Sequence, residues 1–226
     1  MGYGIYRDPL GDARSGPGMT GDNAPGMTKQ NTPGMTEDNA PGMTRYVVGA
    51  GEKLELTFVV LPGESRDIEV SVDLVGEGAE ADLKGLYLCS GEERVNFRVL
   101  MHHRVPGCVS HQLFNGIAGG SSRVTFEGRI VVAPDAQKTE AYQENHNIVF
   151  SDDAHVETTP QLEIYADDVK CSHGATVGRL DEDAQFYMRS RGIPEQEARV
   201  LQMLSFLSPV IPQGRENEIE TAVRTL

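Results

Sequence analysis

Short segments in which apolar and polar residues alternate fill the middle of the chain, from about residue 54 to residue 177. Successive side chains of a β-strand point to opposite faces, so this alternation predicts strands. The segments are KLELTFVVL (53–61), RDIEVSVDLV (66–75), ADLKGLYLC (81–89), RVNFRVLMHH (94–103), RVTFEGRIVV (123–132), NIVFS (147–151) and PQLEIYA (160–166). Many short strands without intervening helices indicate a sandwich, a barrel or a β-helix. The irregular gaps between residues 124 and 177 favour the β-helix.

Beyond Arg179 the apolar residues recur at helical spacing. Asp181 is a suitable N-cap and Gly192 a suitable stop for a first helix, and Pro194 suits the first turn of a second. The second helix is expected to bury one face, formed by Ala198, Leu201, Leu204 and Leu207. A third helix is predicted from Ile219, Ala222, Val223 and Leu226.

The segment before the strands is of another kind, because residues 17–44 hold four copies of an octapeptide that begins Pro-Gly-Met-Thr. Pro-Gly favours turns, and the repeat offers little to a hydrophobic core. We therefore divide the chain into a repeat tail (1–44), a β-helix core (45–178) and a C-terminal helical domain (179–226). An alternative for the tail is a thioether site for Cu(I), formed by Met19, Met27, Met35 and Met43.

Composition narrows the function classes. The 34 acidic and 20 basic residues give a net charge of −14, which argues against a nucleic-acid partner. No apolar run is long enough to span a membrane, and the N-terminus lacks the features of a secretory signal. Three widely spaced cysteines do not suggest a disulfide framework. A cytoplasmic protein with reduced thiols is expected.

Cys171 and His173 are the strongest candidates for chemistry. They lie two positions apart in DVKCSHGATV (168–177), a segment too Gly-broken for a helix. If the segment is extended, both side chains leave the same face, where a thiolate and an imidazole are suitable metal ligands. Two ligands do not complete a four-coordinate metal site. The alternative is that both residues only pack or form hydrogen bonds within the fold.

Two other groups of residues remain as alternatives. The first is a zinc site within HHRVPGCVSH, although adjacent histidines on a strand point to opposite faces; its candidate ligands are His102, His103, Cys108 and His111. The second is a carbohydrate-active β-helix enzyme that uses acids in the turns, although such acids usually only favour turns. Its candidates are Asp152, Asp153, Glu157, Glu163, Asp167 and Asp168.

Residues 147–198, which read NIVFSDDAHVETTPQLEIYADDVKCSHGATVGRLDEDAQFYMRSRGIPEQEA, closely resemble the C-terminal part of the SufB/SufD family of iron-sulfur cluster assembly proteins. The form CSHGAT (171–176) is similar to SufD rather than SufB. FEGRIVVAPDAQKTEAYQENHN (126–147) also fits, and weaker similarity reaches back to about residue 50. Full SufD proteins are longer and begin with a helical domain, so the resemblance implies an N-terminally shortened SufD-like chain.

The resemblance implies a right-handed parallel β-helix, a C-terminal helical domain and a non-catalytic role. It implies a scaffold that pairs with a SufB-type partner, or with itself, through the β-helix and binds the ABC-type ATPase SufC through its helices. Cys171 and His173 would then lie at the interface where a transient iron-sulfur cluster is assembled. They would bind iron there, and a partner chain or inorganic sulfide would supply the remaining ligands. The ATPase would contact the helical region that contains Tyr187, Arg189, Arg191, Gly192 and Ile193. A protein that docks the ATPase but has lost cluster chemistry is the alternative.

Overall fold

A computed structural model describes residues 43–226 of the chain. Ten strands are followed by three α-helices and one short 3-10 helix. The strands are β1 (Thr44–Val48), β2 (Lys53–Val60), β3 (Arg66–Leu74), β4 (Glu80–Cys89), β5 (Arg94–His103), β6 (Val109–Ala118), β7 (Arg123–Val132), β8 (Glu140–Val149), β9 (His155–Ile164) and β10 (Lys170–Gly178). The helices are α1 (Glu182–Ser190), α2 (Glu195–Leu207) and α3 (Glu216–Arg224), with the 3-10 turn at Ser208–Val210.

The strands form a parallel β-solenoid. Odd-numbered strands make one five-stranded sheet in the order β1-β3-β5-β7-β9, here called sheet A, and even-numbered strands make sheet B in the order β10-β8-β6-β4-β2. The chain therefore alternates between two faces and advances one coil every two strands. Side chains that touch between neighbouring coils are far apart in sequence, as in Arg45 and Asp73, 28 residues apart, or Gln112 and Gln143, 31 residues apart. The mainly β solenoid predicted from the sequence is confirmed.

The solenoid interior is filled by the inward side chains of both sheets. Aromatic rings from the two sheets pack against one another there: the centroid of Phe114 lies 5.3 Å from that of Phe97, in an edge-on contact, and 4.9 Å from that of Phe126, with the rings tilted. Glycines make room for the aromatic rings of the interior. A Cβ at Gly116, for example, would come within 1.7 Å of the ring of Tyr87, which is also buried. This packing stabilises the coils through buried apolar area, at about 25 cal/mol per Å².

The C-terminal helices pack against the outer face of sheet B. Leu86, Leu88 and Ile117 of the sheet share a fully or nearly buried cluster with residues of the helices, namely Val200, Met203, Leu207, Val210, Ile219 and Val223. Asn115 donates its side-chain amide to the carbonyl of Phe206 over 2.7 Å, which ties α2 to β6. The helical segment thus shares its core with the solenoid.

The structure agrees with most of the predicted elements and corrects some details. Asp181 caps α1 by accepting from the backbone N–H of Ala184, and α1 ends before Gly192, which has a φ of +89°. The buried face of α2 agrees with the predicted one at Ala198 and Leu207 but is rotated towards other residues. Val200 and Met203 point into the shared core, whereas Leu201 is 41% exposed.

The strand pattern missed β1, β6 and the first parts of β8 and β9, and it treated the segment of β10 as extended only conditionally. β1 begins at Thr44, where the predicted tail ends. Residues 1–42, with Met19, Met27 and Met35 of the alternative copper site, lie outside the described residues. None of the helices between residues 43 and 226 is both long and apolar enough to span a membrane.

Candidate functional site: the C-terminal end of the solenoid

Cys171 and His173 lie on β10, the last strand of sheet B. β10 pairs in parallel with β8, so that Cys171 is beside Ala141 and His173 beside Gln143. Ala141 and Gln143 are buried in the solenoid. Both candidate residues therefore belong to inward rows, and Cys171 packs against the core. The spacing of two positions does place them on one face of an extended strand, as the sequence predicts.

This end of the solenoid has no covering coil among the described residues. Inward residues of earlier coils, such as Val72 and Phe97, are at most 1% exposed. On the last coil the inward positions of β9 are half-buried, His173 is exposed, and Val177 is 50% exposed. The outer edges of β9 and β10 pair with no other described strand. Unpaired N–H and C=O groups on such edges favour the addition of further strands.

The Cys171 thiol is held in its protonated form by its surroundings. Burial raises the pKa of Cys171, and a hydrogen bond from the backbone of Ala141 offsets only part of that effect. A thiol must lose its proton to bind a metal, so binding at this position releases a proton and becomes stronger as the pH rises. Among the described residues no group of three or more His, Cys, Asp and Glu side chains could hold a metal ion. Cys171 and His173 would supply two ligands at most.

The sequence did not reveal a polar row that leads inward from His173. Gln143 donates to the side-chain oxygen of Gln112 over 3.0 Å, and both residues are buried. His173 continues this row on the next strand, β10, whose backbone lies about 4.8 Å from that of β8 at Gln143. The available signal was the alternate polar residues of AYQENHN, which by alternation alone would be assigned to the solvent face.

The residues of the alternative zinc site are not brought together. His102 bonds to Asp73 on the outer face of sheet A, whereas His103 points inward and lies 2.8 Å from Ser110 Oγ. Cys108 is buried and donates to the Gly76 carbonyl, and His111 stacks on Tyr142 with ring centroids 5.1 Å apart. The opposite directions of His102 and His103 follow from strand alternation.

The carboxylates of the alternative enzyme site lie mostly in separate turns or on the outer face. Asp152 pairs with Arg179 over 2.5 Å, and Asp168 pairs with Lys138. Glu163 pairs with Arg129 over 3.5 Å across sheet A. Asp153 and Asp167 are exposed in turns, and Glu157 is exposed on β9. The two aspartate pairs belong to the turns before and after β9, at opposite ends of that strand.

Helix α1 presents a second candidate surface. It buries none of its own residues, and Phe186 and Tyr187 are 71% and 60% exposed. The guanidinium of Arg191 lies 5.3 Å from the centre of the Tyr187 ring, and Arg189 lies 3.7 Å from Glu195.

The positions predicted to contact an ATPase do lie around the end of this helix. The sequence analysis missed Phe186, which a helical pattern alone does not assign to either face. Gly192 and half-buried Ile193 complete the turn into α2. Exposed aromatic rings beside arginines are typical of protein interfaces.

Comparison with known proteins gives a consistent picture. The family model described as "SUF system FeS cluster assembly, SufBD core domain" matches residues 39–206. The iron-sulfur cluster assembly protein SufD of Escherichia coli (strain K12) is 39% identical over 153 residues, which cover 68% of this chain and 36% of that protein.

Two further relatives are more distant. The SufD protein of Bacillus subtilis (strain 168) is 31% identical over 163 residues, which cover 72% of this chain and 37% of that protein. A SufBD family protein of Mycobacterium leprae is 33% identical over 186 residues, or 76% of this chain and 47% of that protein. The chain spans roughly a third to a half of the length of these relatives.

Proposed function

Because this chain belongs to the SufBD family of iron-sulfur cluster assembly proteins, we propose that it is a non-catalytic, SufD-like scaffold subunit of the SUF machinery. The observation that carries the proposal is the uncovered end of the solenoid, where Cys171 and His173 share one face of an edge strand. A cluster would be cargo at this end, assembled and passed on.

The edges of β9 and β10 would pair with another chain. A SufB-type partner, or a second copy of this chain, would add strands to both sheets through main-chain hydrogen bonds. Such pairing would cover the half-buried inward residues of β9, among them Val156, Pro160 and Leu162. It would also enclose the inward side chains of β10 between the two chains.

Cys171 and His173 would supply two of the ligands that hold iron during assembly. Thiolate and imidazole both bind iron, and their positions on a rigid strand fix their geometry in advance. The remaining ligands would come from the partner chain or from sulfide. Since burial raises the pKa of Cys171, iron binding would compete with a proton, which allows the site to release its cargo.

A SufC-type ABC ATPase would bind at α1. The surface formed by Phe186, Tyr187, Arg189, Arg191 and the turn at Gly192–Ile193 has apolar rings beside cations and is not occupied by the rest of the described chain. The three cysteines are free thiols, as expected in a reducing compartment, and we place the complex in the cytoplasm.

Co-purification with a SufC-type ATPase tests this assignment. Removing the helices would be a poor test, because it would expose Leu86, Leu88 and Ile117 on sheet B. A Phe186→Ser/Tyr187→Ser variant instead changes two side chains that the fold does not bury.

We expect the wild type to retain the ATPase and the double variant to lose it. Tyr165→Ser is a matched control, since Tyr165 is 62% exposed but follows β9, outside the helices. Loss of the ATPase from the control, or its retention by the double variant, would contradict the docking surface.

A further inference from the structure

Three basic residues form a row on the outer face of sheet A. Arg94, Arg123 and His155 are the first residues of β5, β7 and β9 and lie directly beside one another in register. All three are exposed. Neighbouring strands are about 4.8 Å apart, so the row spans roughly 10 Å and ends on the edge strand β9. We call it the basic row.

The basic row differs from the other charged row of the same sheet. Glu69, Arg98 and Glu127 also lie side by side, but their charges alternate, with Arg98 3.0 Å from Glu69 and 3.1 Å from Glu127. Within residues 43–226, by contrast, neither arginine nor His155 has a carboxylate within ion-pair distance. Like charges directly opposite each other on a sheet are destabilising.

Two carboxylates that are close to the row in sequence are used elsewhere. Glu93 is buried and accepts from the backbone N–H groups of Gly63 and Gly91, and Asp152 pairs with Arg179. Among residues 43–226 the two arginines therefore have no ion-pair partner, in a chain whose net charge is −14. Packing does not require these side chains, which point to solvent, so the fold alone does not account for the row.

We propose that the basic row is a docking surface for an acidic helix of a partner protein. Acidic residues three or four positions apart on a helix are about 5–6 Å apart, close to the spacing of the row. Carboxylates on one face of an extended strand are about 6.6 Å apart and fit the row less well. The surface lies on sheet A, whereas the proposed ATPase surface lies on α1, which follows sheet B.

Binding of a synthetic helix tests the proposal. The probe is a fluorescent alanine-based peptide of roughly 18 residues with glutamates along one face, and a second peptide carries glutamines at the same positions. At low salt we expect the glutamate peptide to bind at least about tenfold more tightly than the glutamine peptide.

Two double variants separate the basic row from overall charge. Arg94→Gln/Arg123→Gln should weaken binding of the glutamate peptide about tenfold. Arg66→Gln/Arg98→Gln removes the same charge from two arginines that already have carboxylate partners, and it should change binding less than about twofold. Without peptide, the first variant should melt about 2 °C above the wild type, because it removes repulsion within the row.

Three results would overturn the proposal. They are equal binding of both peptides, an equal loss in both double variants, and displacement of the peptide by low concentrations of inorganic phosphate. The last would assign the basic row to a small anion.

Discussion

Acidification should destabilise the protein through His103. This residue ends β5, points into the solenoid between Leu74 and Val132, and is fully buried. Its Nε2 lies 2.8 Å from Ser110 Oγ. Burial, with a contribution from His102, lowers the pKa of His103 to about 4. The folded protein therefore holds the imidazole neutral at a pH where the unfolded chain would protonate it.

The magnitude follows from the difference between the folded and unfolded pKa values. An unfolded histidine has a pKa of about 6.5, and each unit of difference corresponds to 1.36 kcal/mol. The stabilisation is complete above pH of about 6.5 and is lost as the pH falls towards 4. We expect the free energy of unfolding to fall by roughly 3 kcal/mol in total, and by about 2 kcal/mol between pH of about 6.5 and pH of about 5.

Urea unfolding at a series of pH values measures this loss. His103→Gln should remove most of the pH dependence between about 6.5 and 5, because its amide can still reach Ser110 but does not titrate. If His103→Gln does not fold, the imidazole of the wild type can be titrated by NMR. An unchanged slope in the variant, or a His103 pKa near 6.5, would refute the reasoning.

Three further predictions concern packing, charge and thiol reactivity. Gly116→Ala should lower the free energy of unfolding by about 3 kcal/mol, because the new methyl group would overlap the Tyr87 ring. The control Gly174→Ala should change it little, since no atom lies within 4 Å of the Cβ position. Equal effects of the two substitutions in thermal unfolding would contradict this. Asp73→Asn should lower the free energy of unfolding, measured in urea, by about 2 kcal/mol, because the buried carboxylate accepts from two arginines and a histidine. A decrease below about 0.5 kcal/mol would contradict this. In the native protein iodoacetamide should label Cys171 slowly and with a midpoint at higher pH than an ordinary thiol, because burial raises the pKa of Cys171. The other two thiols, which are buried, should react only after unfolding; rapid labelling of a Cys171→Ser variant would contradict this.

The fold could be predicted from sequence wherever inward positions are apolar. β3, β5 and β7 alternate clearly because Val, Ile and Phe fill the inner rows. The first part of β8 was not predicted because its inner positions are polar: they carry Gln143, Asn145 and Asn147. Inside the solenoid these amides donate to the Gln112 side chain, to the Phe114 carbonyl and to the Asn145 side chain, respectively. Alternation reports the core face only if that face is apolar.

The site was predictable where it depends on local spacing. A spacing of two positions on a strand places Cys171 and His173 on one face. Gln143, which lies beside His173, belongs to the preceding coil and is about 30 residues away in sequence. The coils of the solenoid repeat in structure, but their sequences do not repeat. The sequence alone therefore does not show which residues become adjacent. For the same reason the sequence did not show that the helices complete the core on sheet B.

Anaerobic cluster assembly tests the central claim most directly. The chain is combined with a SufB-type partner, a SufC-type ATPase, ATP, iron and a sulfide source, and the absorbance of the bound cluster is followed. Cys171→Ala/His173→Ala should slow assembly at least about tenfold, because losing even the residues that only orient a metal ligand typically costs about that much. Ser172→Ala lies between them on the opposite face of β10 and should assemble at the wild-type rate. Assembly by the double variant at the wild-type rate would contradict the proposed role of this end of the solenoid.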